Sequence, residues 1–304
     1  MQISVVFPNV MYREGPAGVK RLIQGIEAIG FDELSMFDHV VMGYPTETRR
    51  APFYSPTMPI MEAFTVLAHA SAITSTIGLG TRVLVLPQRQ PVLVARQAAS
   101  LDMLSGGRLR LGVGIGWQRS EYEALGEAFD GRGARFEEAI ELLRACWRDE
   151  HVIFDGAHYR ADDIAFEPKP GREIPLWIGG TRPKQLERVA RFADGWMGMS
   201  APGDPPLQDK LDIIFAAADK HGRDPASIEL QMGLSPGPLQ KEANKRFYAE
   251  PELMLERALE LKAIGFSMVS LDTVPIFQLG HRSSEAMLAH LEKTYATLSA
   301  GLSD

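Results

Sequence analysis

The sequence LDMLSGGRLRLGVGIGW, from Leu101 to Trp117, combines the end of a helix, a chain reversal and a buried strand. The helical pattern ends at Leu104, and Gly106-Gly107 interrupts it. The apolar run Leu109–Val113 then predicts a buried strand, which leads into glycines at positions 112, 114 and 116. Because glycine has no side chain, we expect open space beside this strand end. We interpret that space as the floor of a cofactor pocket.

The alternation of a short apolar strand with an amphipathic helix extends along the chain on both sides of this stretch. Regular alternation of this kind implies a parallel sheet. Eight such units without a long polar gap favour a closed barrel over an open sheet, so we predict a single α/β domain over residues 1–304 with the (β/α)8 TIM-barrel fold. The predicted strands are Ile3–Phe7, Glu33–Phe37, Ile77–Leu86, Leu109–Ile115, Leu176–Ile178, Gly195–Met199, Ile228–Met232 and Met268–Asp272.

Three segments depart from the alternation. Asp155-Gly156 lies between β-prone residues, so Val152–Phe166 is predicted to be a hairpin insertion that serves as a lid or a dimer contact. Two polar connections, Val40–Pro59 and Gly233–Glu250, are predicted to be irregular and to shape the substrate pocket.

Composition and charge exclude several classes of protein. The net charge of −7 argues against a nucleic-acid binder, which usually presents a basic surface. A single cysteine, Cys146, cannot form an internal disulfide, and the first residues lack the basic leader of a signal peptide. No uncharged run reaches membrane-spanning length. We therefore expect a cytoplasmic protein with a small-molecule substrate and no nucleic-acid or membrane partner.

The active site of such a barrel lies at the carboxyl ends of the strands, and the second strand ends in Asp38-His39. A histidine at this position can transfer a proton near neutral pH. Asp38 can equally cap the following turn, with His39 as a packing residue. The pattern alone leaves both interpretations open.

Glycines lie within the third predicted strand and at the end of the fourth. Gly80-Thr81-Arg82-Val83 allows a ring to approach the backbone, or forms a simple bulge. Gly112-Val113-Gly114-Ile115-Gly116-Trp117 is not the dinucleotide fingerprint, because its third glycine comes one residue early and no helix starts directly after it. These glycines therefore fit a flat cofactor on the backbone, or tight packing between strands.

The fifth strand leads into Gly179-Gly180-Thr181-Arg182-Pro183, with the proline at the expected first position of a helix. Free backbone N–H groups at a helix N-terminus bind anions, and Arg182 and Lys184 add positive charge. The alternative is a helix cap with surface charges. We favour a phosphate site.

Other catalytic motifs are missing from the sequence. It contains no HExxH motif and no paired cysteines, and its histidines have no metal-ligand spacing. Gly106-Gly107-Arg108 lacks the lysine and hydroxyl residue of a P-loop. No metal site is predicted.

Taken together, these motifs resemble the bacterial luciferase-like monooxygenase superfamily, and within it they are most similar to the F420-dependent oxidoreductases. The similarity covers nearly the whole chain and is densest between Gly78 and Met199. The residues that carry it are Asp38-His39, Gly80–Val83, Leu101–Arg108, Gly112–Trp117, Trp177–Thr181 and Ala193–Trp196.

The resemblance implies a homodimer of (β/α)8 barrels that hold a flavin or deazaflavin at the mouth, with a non-proline cis peptide bond at Arg82-Val83 behind the ring. His39 would be the proton donor or acceptor, and Gly180, Thr181 and Arg182 would bind the tail phosphate. The implied cofactor contacts are Asp38, Thr81, Arg82, Val83, Gly114, Gly116, Trp117, Gly179, Gly180, Thr181 and Arg182.

One residue departs from the sugar-phosphate dehydrogenases of that group, which have a glutamate after the glycines of the fourth strand. This chain has Trp117 there, and tryptophan cannot exchange protons but can form a pocket wall. The end of the sixth strand at Met199-Ser200 also lacks the lysine that those enzymes use for the substrate phosphate. A different, more apolar substrate is therefore expected.

Three functions remain open at this point. The first is hydride transfer between coenzyme F420 and a small organic substrate, with His39 handling the proton. The second is an FMN-dependent monooxygenase that uses reduced flavin and O2. The third is a non-catalytic flavin-binding barrel, against which the retained Asp38-His39 and the phosphate motif argue.

Overall fold

The computed structural model describes residues 1–49, 55–200, 203–236 and 241–303, with residues 241–244 described by their backbone alone. The strands are β1 (Gln2–Val6), β2 (Glu33–Met36), β3 (Gly78–Thr81), β4 (Leu84–Val85), β5 (Leu109–Gly114), β6 (Val152–Asp155), β7 (Arg160–Ile164), β8 (Leu176–Gly179), β9 (Gly195–Gly198), β10 (Glu229–Gly233) and β11 (Met268–Leu271).

Helices follow the strands of the barrel on its outside. They are α1 (Gly15–Ile29), α2 (Ala63–Ile73), α3 (Pro91–Leu104), α4 (Arg119–Ala124), α5 (Arg132–Arg148), α6 (Pro183–Phe192), α7 (Leu207–Lys220), α8 (Lys241–Ala249), α9 (Pro251–Ile264), α10 (Thr273–Gln278) and α11 (Ser284–Leu302).

The parallel strands close into a barrel. Their order is β3-β2-β1-β11-β10-β9-β8-β5, and the pairing of β3 with β5 joins the two ends. The two-residue strand β4 continues beyond β3 and also pairs with β5. The barrel is therefore an eight-stranded (β/α)8 structure with all carboxyl ends of the strands at one mouth, as the sequence predicts.

Apolar side chains fill the space between strands and helices, since strands β2 and β5 are buried along their whole length. The barrel interior also contains an ion pair between Arg110 and Glu33, and the Arg110 guanidinium lies 3.9 Å from the centre of the Trp177 ring. A buried charge is tolerated only when it is paired in this way. These contacts fix the strand positions below the mouth.

The hairpin insertion is confirmed as the antiparallel pair β6–β7. Its turn packs on the barrel's own α5, because the Glu138 carboxylate accepts hydrogen bonds from the backbone N–H groups of Ala157, His158 and Tyr159. A role for the hairpin as a lid or dimer contact stays a prediction.

The structure differs from the sequence-based prediction at three elements. The single strand Ile77–Leu86 divides into β3 and β4, and the cis peptide bond between Arg82 and Val83 lies between them. The connection Gly233–Glu250 contains the helix α8, so the prediction of an irregular segment is wrong there. The short helix α10 was not predicted, and the Asp272 carboxylate caps it by accepting from the Val274 N–H at 3.0 Å.

Among the residues that the structure describes, no helix is long and apolar enough to cross a membrane. Within the same residues, no group of three or more His, Cys, Asp or Glu side chains could hold a metal ion.

Candidate active site

The predicted site residues meet at the mouth of the barrel, since they follow neighbouring strands. His39 follows β2, the Arg82-Val83 bond lies between β3 and β4, Trp117 follows β5, and Thr181 follows β8. The predicted cis bond at Arg82-Val83 is confirmed.

The glycines after β5 and β8 make room for Val83. A Cβ atom on Gly114 would lie 2.6 Å from one Val83 methyl group, and a Cβ atom on Gly179 would lie 2.8 Å from the other. A Cβ atom on Gly116 would likewise meet Val85 at 2.6 Å. The space beside these glycines is therefore filled by the chain itself, which corrects the expectation of an open pocket floor. Contacts of Gly114, Gly116 and Gly179 with a cofactor stay predictions.

Thr81 joins β3 to β5 through its side chain. Its hydroxyl donates to the Gly112 carbonyl at 2.6 Å and accepts from the Gly112 N–H at 2.9 Å. A Cβ atom on Gly112 would lie 2.0 Å from the Thr81 carbonyl oxygen, so only glycine fits there. Both hydrogen bonds hold the strands together, and a cofactor contact of Thr81 stays a prediction.

The Arg82 side chain crosses the barrel mouth towards the opposite strands. Its guanidinium lies 3.5 Å from the Gly198 carbonyl at the end of β9, and a Cβ atom on Gly233 of β10 would meet it at 2.6 Å. Burial raises the pKa of nearby Asp272, while the Val274 N–H and the Arg82 charge act in the opposite direction. Arg82 therefore spans the mouth as a fixed positive charge.

Asp38 is buried, and its carboxylate already has protein partners. Oδ2 accepts from the Val85 N–H at 2.9 Å, and both oxygens pair with the Arg89 guanidinium. Burial raises the pKa of Asp38, and the Arg89 charge opposes that effect. These contacts favour the structural interpretation of Asp38, and its contact with a cofactor stays a prediction.

His39 lies between an acid and an aromatic ring. Its Nδ1 lies 3.2 Å from Oε2 of Glu121, and its ring makes an edge-to-face contact with the Trp117 ring, with 5.5 Å between centroids. The His39 side chain is only 7% exposed, whereas Trp117 is 48% exposed at the rim. Trp117 therefore forms a wall beside His39, as an apolar pocket would require.

Glu121 is the site residue that the sequence analysis missed. Its carboxylate is buried and accepts hydrogen bonds from the Val40 N–H at 2.5 Å and from Gln88 Nε2 at 3.2 Å, in addition to its contact with His39. Burial raises the pKa of Glu121, but the hydrogen bonds from His39, Gln88 and Val40 outweigh it, so the pKa lies below its ordinary value. The only signal in the sequence was an acidic residue in the short helix after the β5 glycines.

The predicted phosphate site contains a carboxylate of the chain itself. Thr181 Oγ1 donates to Asp204 Oδ1 at 2.8 Å, and the buried Lys210 pairs with Asp204 Oδ2 at 3.0 Å. Arg182 is the exposed N-cap residue of α6, and Gly180 has a φ of +135°. Thr181 thus lies beside an internal anion and the lysine that pairs with it, and phosphate binding by Gly180, Thr181 and Arg182 stays a prediction.

Gln185, in the first turn of α6, lies directly below Gly180. Its Oε1 accepts from Arg188 at 3.1 Å, while its Nε2 is buried without a hydrogen-bond partner among the described residues. A buried donor of this kind needs a partner to offset its desolvation. An acceptor such as a phosphate oxygen would provide one.

The predicted substrate loops are only partly described. Residues 50–54 of Val40–Pro59 and residues 237–240 of Gly233–Glu250 lie outside the described part of the chain. In the described part, Val40, Val41 and Tyr44 are exposed apolar residues near the mouth. Their contact with a substrate stays a prediction.

A closed parallel barrel with a histidine at its mouth beside a cis peptide bond defines an enzyme scaffold of the luciferase-like type. The chain belongs to the luciferase-like monooxygenase family, whose family model matches residues 1–253. This membership confirms the resemblance inferred from the motifs.

Similar proteins carry different activities on this fold. The chain is 29% identical over 278 residues to an F420-dependent glucose-6-phosphate dehydrogenase of Nocardia farcinica, covering 88% of this chain and 80% of the relative. A solved F420-dependent secondary alcohol dehydrogenase, in complex with an F420–acetone adduct, matches with a TM-score of 0.74 at 19% identity over 98% of both chains. Monooxygenase RslO1 of Streptomyces bottropensis matches with a TM-score of 0.70 at 22% identity over 97% of this chain and 100% of that chain. The two structural matches establish the fold alone.

Proposed function

We propose that this protein is an F420-dependent oxidoreductase that transfers a hydride between coenzyme F420 and a small organic substrate. The observation that carries the proposal is the location of His39, an ionisable imidazole held at the barrel mouth by Glu121 and walled by Trp117. The name of the Nocardia farcinica relative supports the choice of F420.

The residues after β8 fit the phosphate of such a cofactor. The α6 N-terminus offers backbone N–H groups, Thr181 offers a hydroxyl, and Gln185 has a buried donor that lacks an acceptor among the described residues. Arg182 and Lys184 lie exposed beside them. Asp204 opposes an anion at Thr181, so binding requires this carboxylate to turn fully towards Lys210, with which it already pairs.

When bound, F420 supplies the redox chemistry, and the protein supplies orientation and proton transfer. Val83 packs between Gly114 and Gly179 and fixes the backbone behind the mouth. Hydride transfer at a substrate carbon is accompanied by the gain or loss of a proton. His39 gives or takes that proton at the substrate oxygen or at a second carbon. Trp117 and the other apolar residues at the rim exclude water and favour an apolar substrate over a sugar phosphate.

The second candidate is an FMN-dependent monooxygenase on the same barrel. The phosphate site and the histidine serve a flavin equally well, and the apolar wall at Trp117 suits an apolar substrate of such an enzyme. The two candidates differ in the ring that binds. Titration of the purified protein with F420 and with FMN separates them, and tight FMN binding without affinity for F420 would reject the first proposal.

Catalysis by His39 is tested with His39→Ala and the matched control His69→Ala, which removes an exposed histidine of α2. We expect His39→Ala to reduce turnover at least about 100-fold with little change in cofactor affinity, while the control keeps full activity. Turnover is followed by F420 absorbance with alcohols, aldehydes and sugar phosphates as candidate substrates. Full turnover by His39→Ala would show that His39 has only a structural role. Light scattering tests the proposed homodimer.

A further inference from the structure

We propose that Glu121 is a positioning residue that fixes His39 in the Nδ1–H tautomer, so that Nε2 is the nitrogen that exchanges the proton. This inference rests on the proposed role of His39 in proton transfer. It assigns to α4 a function in the reaction, although no atom of Glu121 needs to touch the substrate.

The hydrogen bonds around Glu121 determine the position of the proton on His39. An ionised carboxylate only accepts hydrogen bonds, so an uncharged imidazole that contacts it must donate. The contact is made by Nδ1, at 3.2 Å from Oε2. The neutral ring therefore carries its proton on Nδ1 and its lone pair on Nε2. A second proton then adds at Nε2, and the carboxylate stabilises the resulting imidazolium.

The surroundings of Glu121 keep its carboxylate ionised. The donors that converge on it are His39, Gln88 and the backbone N–H groups of Val40 and Val41. Hydrogen bonds that are donated to a carboxylate favour its charged form, and the lowered pKa of Glu121 agrees with this direction. A protonated Glu121 would have to turn one of these donors away.

The same carboxylate also fixes the orientation of the ring. Glu121 binds the side chain of His39 through Oε2 and the next backbone N–H, that of Val40, through Oε1. Trp117 makes an edge-to-face contact with the imidazole at an interplanar angle of 78°. Ring and backbone are thus held at two points by one rigid group, which is the arrangement that a proton-transferring residue requires.

The first test measures the tautomer itself and needs neither a substrate nor a cofactor. Long-range proton–nitrogen NMR spectra of the wild type, recorded at alkaline pH, distinguish the two neutral tautomers. The His39 signal is assigned by its loss in His39→Gln. We expect the Nδ1–H tautomer, and the Nε2–H tautomer in the wild type would overturn the proposal.

The second test uses Glu121→Gln, with Glu123→Gln as the matched control on the exposed face of the same helix. The amide introduced by Glu121→Gln has a single oxygen, which can take only one of the two carboxylate oxygen positions, and we expect it to keep the Val40 N–H. Its NH2 group therefore donates to Nδ1 and favours the Nε2–H tautomer. Gln88 can adapt, because its Oε1 is buried without a hydrogen-bond partner among the described residues. An unchanged tautomer in Glu121→Gln would overturn the proposal, and the control should match the wild type.

Kinetics then separates this inference from the proposed function. We expect Glu121→Gln to lower kcat about 100-fold with the cofactor Kd nearly unchanged, and Glu121→Asp to recover part of the loss. A reversed tautomer with full turnover would overturn the catalytic role of His39 and, with it, any role of Glu121 in the reaction. A wild-type Nε2–H tautomer together with inactive His39→Ala would overturn the positioning role alone.

Discussion

Asp38 and Arg89 form a two-point ion pair in which Arg89 Nη1 lies 2.8 Å from Oδ2 and Nη2 lies 2.9 Å from Oδ1. The pair joins the end of β2 to the turn after β4, and Oδ2 also accepts from the Val85 N–H. It thereby connects the end of β2 to the segment that follows the cis peptide bond.

Asp38→Asn should destabilise the protein more than it weakens cofactor binding. Removing the charge leaves Arg89 largely buried without its anion, so we expect the free energy of unfolding to fall by about 3 kcal/mol. Urea denaturation of the cofactor-free protein measures it. Asp130→Asn is the control, because it breaks an exposed pair with Arg119 and should cost less than about 1 kcal/mol. Unchanged stability with a large loss of cofactor affinity would instead support the predicted cofactor contact.

Glu121 should make the free energy of unfolding depend on pH in a defined direction. Because its pKa in the folded protein lies below the ordinary 4.5, its stabilising contribution is fully present above that value and is lost as the pH falls through the lowered pKa. We expect the difference in unfolding free energy between wild type and Glu121→Gln to shrink as the pH falls below 4.5. Urea titrations at several pH values measure it, and a difference that keeps growing below 4.5 contradicts the prediction.

Asp204→Asn should strengthen the binding of a phosphate-bearing cofactor. Asp204 accepts the Thr181 hydroxyl at 2.8 Å, so its charge repels an anion at that hydroxyl. We expect about tenfold tighter binding of F420 or FMN, with a gain that decreases as salt is added. Fluorescence titration measures it, and Asp212→Asn on the exposed face of α7 is the control. Weaker binding by Asp204→Asn would mean that this carboxylate orients Thr181 for the phosphate.

The fluorescence of Trp117 should report whether a cofactor occupies the barrel mouth. The other three tryptophans, Trp147, Trp177 and Trp196, are buried, whereas Trp117 is 48% exposed. We therefore expect acrylamide to quench mainly Trp117, the variant Trp117→Phe to lose most of that quenching, and cofactor binding to shield it. Equal quenching with and without saturating cofactor would show that Trp117 lies outside the cofactor site.

Removing the tryptophan wall should affect substrate binding more than stability. Because Trp117 is half exposed, we expect Trp117→Ala to change the free energy of unfolding by less than about 1 kcal/mol. The KM for an apolar substrate should rise, with kcat changing only a few-fold. A kcat loss as large as that of His39→Ala would show that the contact with Trp117 also orients the imidazole.

The sequence was sufficient for the barrel because strand and helix signals were local. β9 and β11 end within one residue of the predicted ends, and α6 begins at Pro183, the predicted first residue of that helix. The helix α8 was missed because its sequence is polar and follows a glycine- and proline-rich segment. The division of the predicted strand Ile77–Leu86 into β3 and β4 was not predicted.

The candidate site was only partly predictable because several of its contacts span long sequence distances. His39 and Glu121 are 82 residues apart, and Thr181 meets Asp204 across 23 residues. No sequence motif with a fixed spacing predicts either pair. The β5 glycines were recognised, but their neighbour was not, because only the folded barrel shows that Val83 fills the space beside them.

The six-residue helix α4 holds the first part of the loop after β2 at several points. Glu121 binds the Val40 N–H, while Gln118 accepts from the Gly43 N–H at 3.2 Å and donates to the Val41 carbonyl at 2.7 Å. These hydrogen bonds hold the loop up to Gly43. The segment next to His39 is therefore distinct from the later segment, which is expected to shape the substrate pocket. We therefore expect libraries that randomise positions 44–59 to change the substrate range while His39 keeps its place, so this segment is a target for directed evolution.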